Sequence, residues 1–193
     1  LMDGQLHARE TMTAEVMLDA IEYLTSHYAS NARVRRWVDE LEIWIVPVVN
    51  PDGASYVHNT QAMWRKNRSH ECGNFPGVDL NRNFEWNYRQ CSGSDSDCSS
   101  DLYHGPSTAS ELETQTMQAL MQSLRPLYYI NYHSYGEMIL WSSGCGPVDE
   151  DALLRSVGEE LNAVVRNDEG VTGQWIIGPA GTGLYTAPGG SND

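Results

Sequence analysis

The chain has 193 residues, enough for one domain with a real core, and its 40 % hydrophobic content with six tryptophans argues for a globular fold over disorder. A formal net charge of −14 works against binding to nucleic acid or to an anionic membrane surface. The longest apolar run, Ile43 to Val49, falls far short of the roughly 20 residues that span a bilayer.

Near the start, His7 and Glu10 place an imidazole and a carboxylate close enough together to share one ion. Both are good ligand types for zinc. The same spacing also occurs on the polar faces of many helices, so a metal reading needs a third ligand from elsewhere. Thr11 or Thr13 then caps a predicted helix running to about Tyr28, with Met17, Ile21, Leu24 and Tyr28 on one face. Asn31 caps a shorter helix with Val34, Trp37, Val38 and Leu41 on its apolar side. The nearly continuous apolar stretch Glu42 to Val49 predicts a central strand buried on both faces, ending or bulging near Pro47. Asn50-Pro51-Asp52-Gly53 reads as a turn at its carboxyl end.

From His58 to about His104 the chain is rich in Asn, Ser, Gly and Arg and shows little periodicity. Loops of that length in a compact domain usually carry function. Ser110 and Glu113 form a capping-box pattern opening a helix with Met117, Leu120, Met121 and Leu124 inside. Strands are expected over Leu127 to Tyr132, Met138 to Trp141 and Gln174 to Ile177, with a last helix marked by Leu154, Val157, Leu161 and Val164. Alternation of this kind implies an α/β fold, a mostly parallel or mixed central sheet with helices on both faces. Ligand sites in such sheets lie at the carboxyl ends of strands, where Asn50 to Gly53 and His133 fall. Cys72, Cys91, Cys98 and Cys145 lack the paired spacing of a structural zinc site. Disulfides formed in an oxidising compartment are the leading reading, and buried free thiols the other.

With His133 in Asn131-Tyr132-His133-Ser134-Tyr135 as the third ligand candidate, the chain resembles the zinc carboxypeptidases of the pancreatic A and B type. The matching pieces are HARE (7–10), NPDG (50–53), MWRKNR (63–68), GVDLNRNF (77–84), YHG (103–105), HSY (133–135) and LYTAPGGSND (184–193). They follow one another in family order along essentially the whole chain. The resemblance implies a zinc-dependent enzyme that removes the C-terminal residue of peptides and proteins. One Zn2+ ion is held by His7, Glu10 and His133, leaving a fourth position open for water. Asp79 matches the carboxylate that orients the first histidine ligand, and Arg65 the arginine that stabilises the oxyanion. Asn81 and Arg82 match the pair that grips the substrate's terminal carboxylate, and Tyr185 the tyrosine that closes over it. Arg9 and Tyr135 match residues that contact the peptide further upstream. Asn192 matches the base of the side-chain pocket, where asparagine points to neutral residues, polar ones among them, as the preferred terminus.

The resemblance further implies secretion, a monomer, a Cys72–Cys98 disulfide with Cys91 and Cys145 left open, and a cis peptide at Ser134–Tyr135. Leu1 and the loop-like Gly190 to Asp193 read as the ends of an internal piece, so residues 1–193 are expected to form part of one catalytic domain, incomplete at both ends. The family's general-base glutamate lies past the GGSND stretch, and residues 1–193 alone are expected to be nearly inactive. Two other readings share some features: an aspartoacylase-like amidohydrolase, with the same H-x-x-E plus a distant histidine, and a catalytically dead module that grips peptide C-termini. NPDG, WRKNR and GGSND speak against the amidohydrolase.

Overall fold

The computed structural model describes residues 1–70, 72–73, 77–146, 151–183 and 186–191. Two compact units divide the chain: Leu1–Arg65 with Ala119–Ser134, and Lys66–Gln118 with Tyr135–Asp193.

In the first unit, β1 (Met2–Asp3) is the middle strand of a parallel sheet, flanked by β2 (Ile45–Val46) and β3 (Ile130–Asn131). Met2 pairs with both Ile45 and Ile130, and Asp3 with Val46 and Asn131. The strand order joins residues distant in sequence, and β1 is too short to leave a period in the sequence. The predicted strand at 42–49 is shorter than expected, ends before Pro47, and is half-buried at β2 instead of fully enclosed. Helix α1 (Thr11–His27) begins after Glu10, without the expected threonine side-chain cap. Asn31 does cap α2 (Ala32–Glu40), accepting from Arg33 N and Val34 N. Asn50-Pro51-Asp52-Gly53 is not a free turn but the start of α3 (Pro51–Asn59): Asn50 Oδ1 accepts from Gly53 N, and proline takes the first helical position, where no N–H is needed. Leu6, Ala8, Ala14, Met17, Val34 and Val49 form the buried apolar core. Much of the remaining apolar surface of α1 and α2 lines an open groove of about 780 Å³.

The second unit carries, from Lys66 on, most of the irregular stretch foreseen from His58 to His104, and a 3-10 turn lies within it at Leu80–Arg82. Helix α4 (Leu112–Leu124), of which Leu112–Gln118 belong to this unit, buries Met117. A parallel pair, β4 (Met138–Trp141) and β5 (Ile176–Pro179), packs with α5 (Asp151–Asn162) and the short α6 (Ala180–Gly183). Val78, Leu80, Phe84, Tyr103, Met117, Trp141 and Ala180 are its buried apolar residues. Two disulfides, Cys72–Cys98 and Cys91–Cys145, close loops within this unit. The first is the pair the resemblance implied, and the second joins the two cysteines left open. The Ser134–Tyr135 peptide is trans, contrary to expectation; the cis bond among the described residues is Ser142–Ser143. No helix among the described residues is long and apolar enough to cross a membrane.

Candidate metal centre

Strand β1 and the adjacent parallel β3 end side by side, and each runs on into a histidine. Tyr132 N donates to Asp3 O at 2.9 Å, extending the ladder to the residue before His133. After Asp3 the chain turns sharply through Gly4 and Gln5, which has φ +50°. A Cβ at Gly4 would lie 2.8 Å from Thr13 O, so only glycine lets the first turn of α1 sit against the strand end.

A small network then fixes the segment from His7 to Glu10. Gln5 N donates to Thr13 Oγ1 at 2.7 Å, and Thr13 Oγ1 donates to Glu10 O at 2.7 Å. Gln5 Nε2 donates to Ala8 O, Ala8 N to Arg65 O, and Asn50 Nδ2 to Leu6 O. Gln5 and Thr13 are therefore supports of this segment outside the role any motif gave them, and Asn50, inside the NPDG piece, supports it too. Thr13 had been expected only as a helix cap, and nothing local marks Gln5.

Among the described residues, His7, Glu10 and His133 bring their ligand atoms within 4.8 Å of one another. His7 Nδ1 lies 2.9 Å from Glu10 Oε1, His133 Nδ1 lies 2.8 Å from Glu10 Oε2, and the two Nδ1 atoms are 3.1 Å apart. His7 and Glu10 are buried, while a third of the His133 side chain (33 %) is accessible, so the cluster opens on that side. Burial by itself would raise the Glu10 carboxyl; hydrogen bonds from His133 and His7 outweigh it and hold the group well below the usual carboxylate range. Desolvation draws the His133 imidazole below its ordinary value, against the pull of Glu10.

Arg65, buried to 6 % exposure, brings Nη1 to 3.3 Å from His7 Nδ1. A guanidinium only donates, so this approach needs a lone pair on that ring nitrogen. The same nitrogen cannot then also donate to Glu10. Two imidazole nitrogens and a carboxylate nonetheless converge on one point there, the arrangement of donors that a cation takes. Two imidazole nitrogens and a carboxylate oxygen suit zinc, and the donor set fits that metal.

The remaining site candidates are placed as follows. Arg9 reaches Met63 O with Nη1 at 3.4 Å. In the second unit Asp79, fully buried, heads the 3-10 turn and accepts from Asn81 N at 3.0 Å. Asn81 Oδ1 accepts from Ser191 N at 2.8 Å. Arg82 is 1 % exposed; its Nε donates to Gly93 O at 2.6 Å and its Nη1 to Asn81 O at 2.5 Å. Tyr135 is fully exposed. Tyr185 and Asn192 lie outside the described residues.

The backbone around Asp79 is held by side chains that sequence patterns did not single out. Asn67 Oδ1 accepts from Val78 N at 2.7 Å while its Nδ2 donates to the buried Glu111 Oε2 at 2.7 Å. Asn83 Nδ2 donates to His104 O, Ser107 O and Ser110 Oγ. Three of these side chains are asparagine or glutamate inside quoted motifs or beside a cap, and burial is the only signal that separates them from surface polar residues.

A family model described as zinc carboxypeptidase matches residues 1–193. Carboxypeptidase A2 of Mus musculus is 32 % identical over 196 residues, covering 100 % of this chain and 46 % of that protein. Carboxypeptidase B of Rattus norvegicus is 32 % identical over 200 residues, with 100 % and 47 % covered. The crystal structure of carboxypeptidase A from Helicoverpa armigera superposes with a TM-score of 0.83 at 32 % identity, covering 98 % of this chain and 47 % of that one. The chain spans about half the length of the curated relatives it matches (46 %, 46 % and 52 % for three of them).

Proposed function

Because the chain belongs to the zinc carboxypeptidase family, we propose that its protein is a secreted, zinc-dependent metallocarboxypeptidase hydrolysing the C-terminal peptide bond of peptides and proteins. Residues 1–193 form part of its catalytic domain. The observation that carries this reading is the convergence of His7 Nδ1, Glu10 and His133 Nδ1 within 4.8 Å, with Arg65 at 3.3 Å from His7.

His7, Glu10 and His133 would hold one zinc ion. When bound, zinc there supplies Lewis acidity toward a carbonyl and a source of hydroxide near neutral pH. Glu10 keeps its negative charge across the working pH range and so offers the ion an anionic oxygen. Arg65, already fixed beside His7, donates to the substrate oxygen that gains charge as the carbonyl becomes tetrahedral. Asp79 orients the His7 ring. Asn81 and Arg82 take the terminal carboxylate, the group that only a chain end offers, and a planar guanidinium can hold it by two parallel hydrogen bonds. Tyr185 closes over that group, Arg9 and Tyr135 contact upstream residues, and Asn192 favours neutral termini, polar ones among them.

The two disulfides support secretion into an oxidising compartment. The strong negative charge supports a monomer without nucleic-acid or membrane partners.

The test is zinc analysis of the full-length protein beside hydrolysis of N-blocked dipeptides varied in their last residue. One zinc per chain with release of the terminal residue is expected. Zinc without turnover would favour a module that only binds C-termini. Cleavage confined to N-acetyl-aspartate would favour an aspartoacylase-like amidohydrolase. Fastest release of Lys or Arg would remove the role given to Asn192.

A further inference from the structure

The second disulfide sits where the proposed carboxylate grip is braced. Cys91-Ser92-Gly93 is a short turn, and its last carbonyl is the acceptor for Arg82 Nε at 2.6 Å. Gly93 has φ +103°, and a Cβ there would lie 1.8 Å from Thr186 O. The turn is thus pressed directly against the backbone that follows Tyr185. Ser92 Oγ and Thr186 Oγ1 add a hydrogen bond at 2.8 Å. On the other side Cys91 is bonded to Cys145. The segment around Cys145 is itself tied down: Cys145 N donates to Ser143 Oγ at 2.9 Å, Gly181 N to Ser143 O at 3.1 Å, and Ala187 N to Gly144 O at 3.0 Å. The turn carrying the Gly93 carbonyl is therefore clamped from both flanks, covalently at Cys91 and by close packing at Gly93.

We infer that the Cys91–Cys145 bridge and Gly93 are positioning elements for the Arg82 guanidinium, and that through it they set the affinity for a terminal carboxylate. The inference rests on the proposed role of Arg82. Two carbonyls, Gly93 O and Asn81 O, fix the plane of the guanidinium, and bidentate recognition of a carboxylate depends on that plane. Releasing the bridge lets the 91–93 turn drift, the Gly93 carbonyl leaves Nε, and the fork rotates. The reacting groups in the first unit keep their own supports, so binding suffers and the chemical step does not.

The experiment uses the full-length, zinc-loaded protein in four forms: unaltered, Cys91→Ala with Cys145→Ala, Gly93→Ala, and Arg82→Met. Two quantities are read: KM and kcat for hippuryl dipeptides, and competitive inhibition by benzoylphenylalanine against its amide. The bridge variant and Gly93→Ala are each expected to raise KM about tenfold, the scale of one charged hydrogen bond, with kcat little changed. Both also lose most of the preference for free acid over amide, as Arg82→Met does. General loosening of the fold would not move that preference selectively. If Arg82→Met abolishes the preference but the bridge and Gly93 variants retain it, the inference is overturned and the role of Arg82 stands. If Arg82→Met keeps the preference, the role of Arg82 falls and takes the inference with it. Should the bridge variant fail to fold, Gly93→Ala, which keeps the disulfide, decides the matter by the same two readings.

Discussion

At the scale of single residues, the chemistry depends on which atoms face one point. Glu10 offers one oxygen to each histidine. Glu10→Gln keeps the shape but removes the charge that offsets a divalent cation. Even partners one step out from a metal typically cost 10–100-fold in affinity when lost, so this variant should lose more than about a hundredfold in zinc affinity. Dialysis followed by metal analysis measures it, and full zinc retention would contradict the ligand assignment. Arg65 behaves differently. Its Nη1 sits 3.3 Å from His7 Nδ1, and its proposed role is toward charge that develops during reaction, not toward the ion. Arg65→Met should keep zinc and lower kcat by roughly 10²–10³, as expected for one fixed oxyanion donor. Loss of zinc from that variant would instead make Arg65 a support of the ligands.

At the scale of elements, the strands that deliver the histidines carry an unusual charge. Asp3 in β1 is fully buried and accepts from Tyr129 Oη at 2.7 Å and from Asn131 Nδ2. Burial pushes its carboxyl up to about 6 from 3.8, against the opposing pull of those two donors. The folded state keeps the proton until about pH 6, whereas the unfolded chain releases it near pH 3.8. Unfolding therefore becomes easier as pH rises through that window, by up to about 3 kcal/mol. Asp3→Asn has no proton to lose. Its urea-unfolding stability, measured relative to the unaltered protein, should improve from pH 4 to about pH 6 and level off above that; a constant difference would show that Asp3 does not titrate there. Asn50 joins two elements, capping α3 and donating to Leu6 O just before His7. Asn50→Ala removes a cap and strands a buried carbonyl, a loss of about 2–3 kcal/mol. A shift in urea midpoint with unchanged slope would register it.

At the scale of the whole molecule, zinc should act as a cross-link between distant parts of the chain. His7 and His133 are 126 residues apart in sequence. A ligand that binds only the folded state stabilises by mass action, about 4 kcal/mol at a thousandfold excess over Kd. EDTA should therefore lower the thermal midpoint of the full-length protein and abolish turnover together, with both restored by added zinc. An unchanged midpoint after verified metal removal would show that the ion contributes chemistry without stability.

Much of this was legible without coordinates wherever the determining physics is local. His7 and Glu10 are near neighbours in sequence, so their shared direction depends on one turn. Asn31 caps α2 because its side chain reaches the next two or three amides. Pro47 ends a strand because it has no N–H. The motifs that carry the family resemblance supply ligand types, and those types already select zinc. Local chemistry left alternatives open in places: Asn50 and Pro51 suit both a turn and a helix start, and in the structure Asn50 caps α3 with Pro51 in its first turn. What depends on chain closure was decided only in three dimensions. Strand β1 is two residues long and exists because Ile45 and Ile130 arrive on either side of it. Cys91 found Cys145 across 54 residues, and Asn67 found Glu111 across 44. No period in the sequence records such meetings, because a polar side chain destined for a buried network has the same composition as one left in water. The sequence by itself determined which groups could hold and use a metal; the tertiary structure decided that His7, Glu10 and His133 face one another.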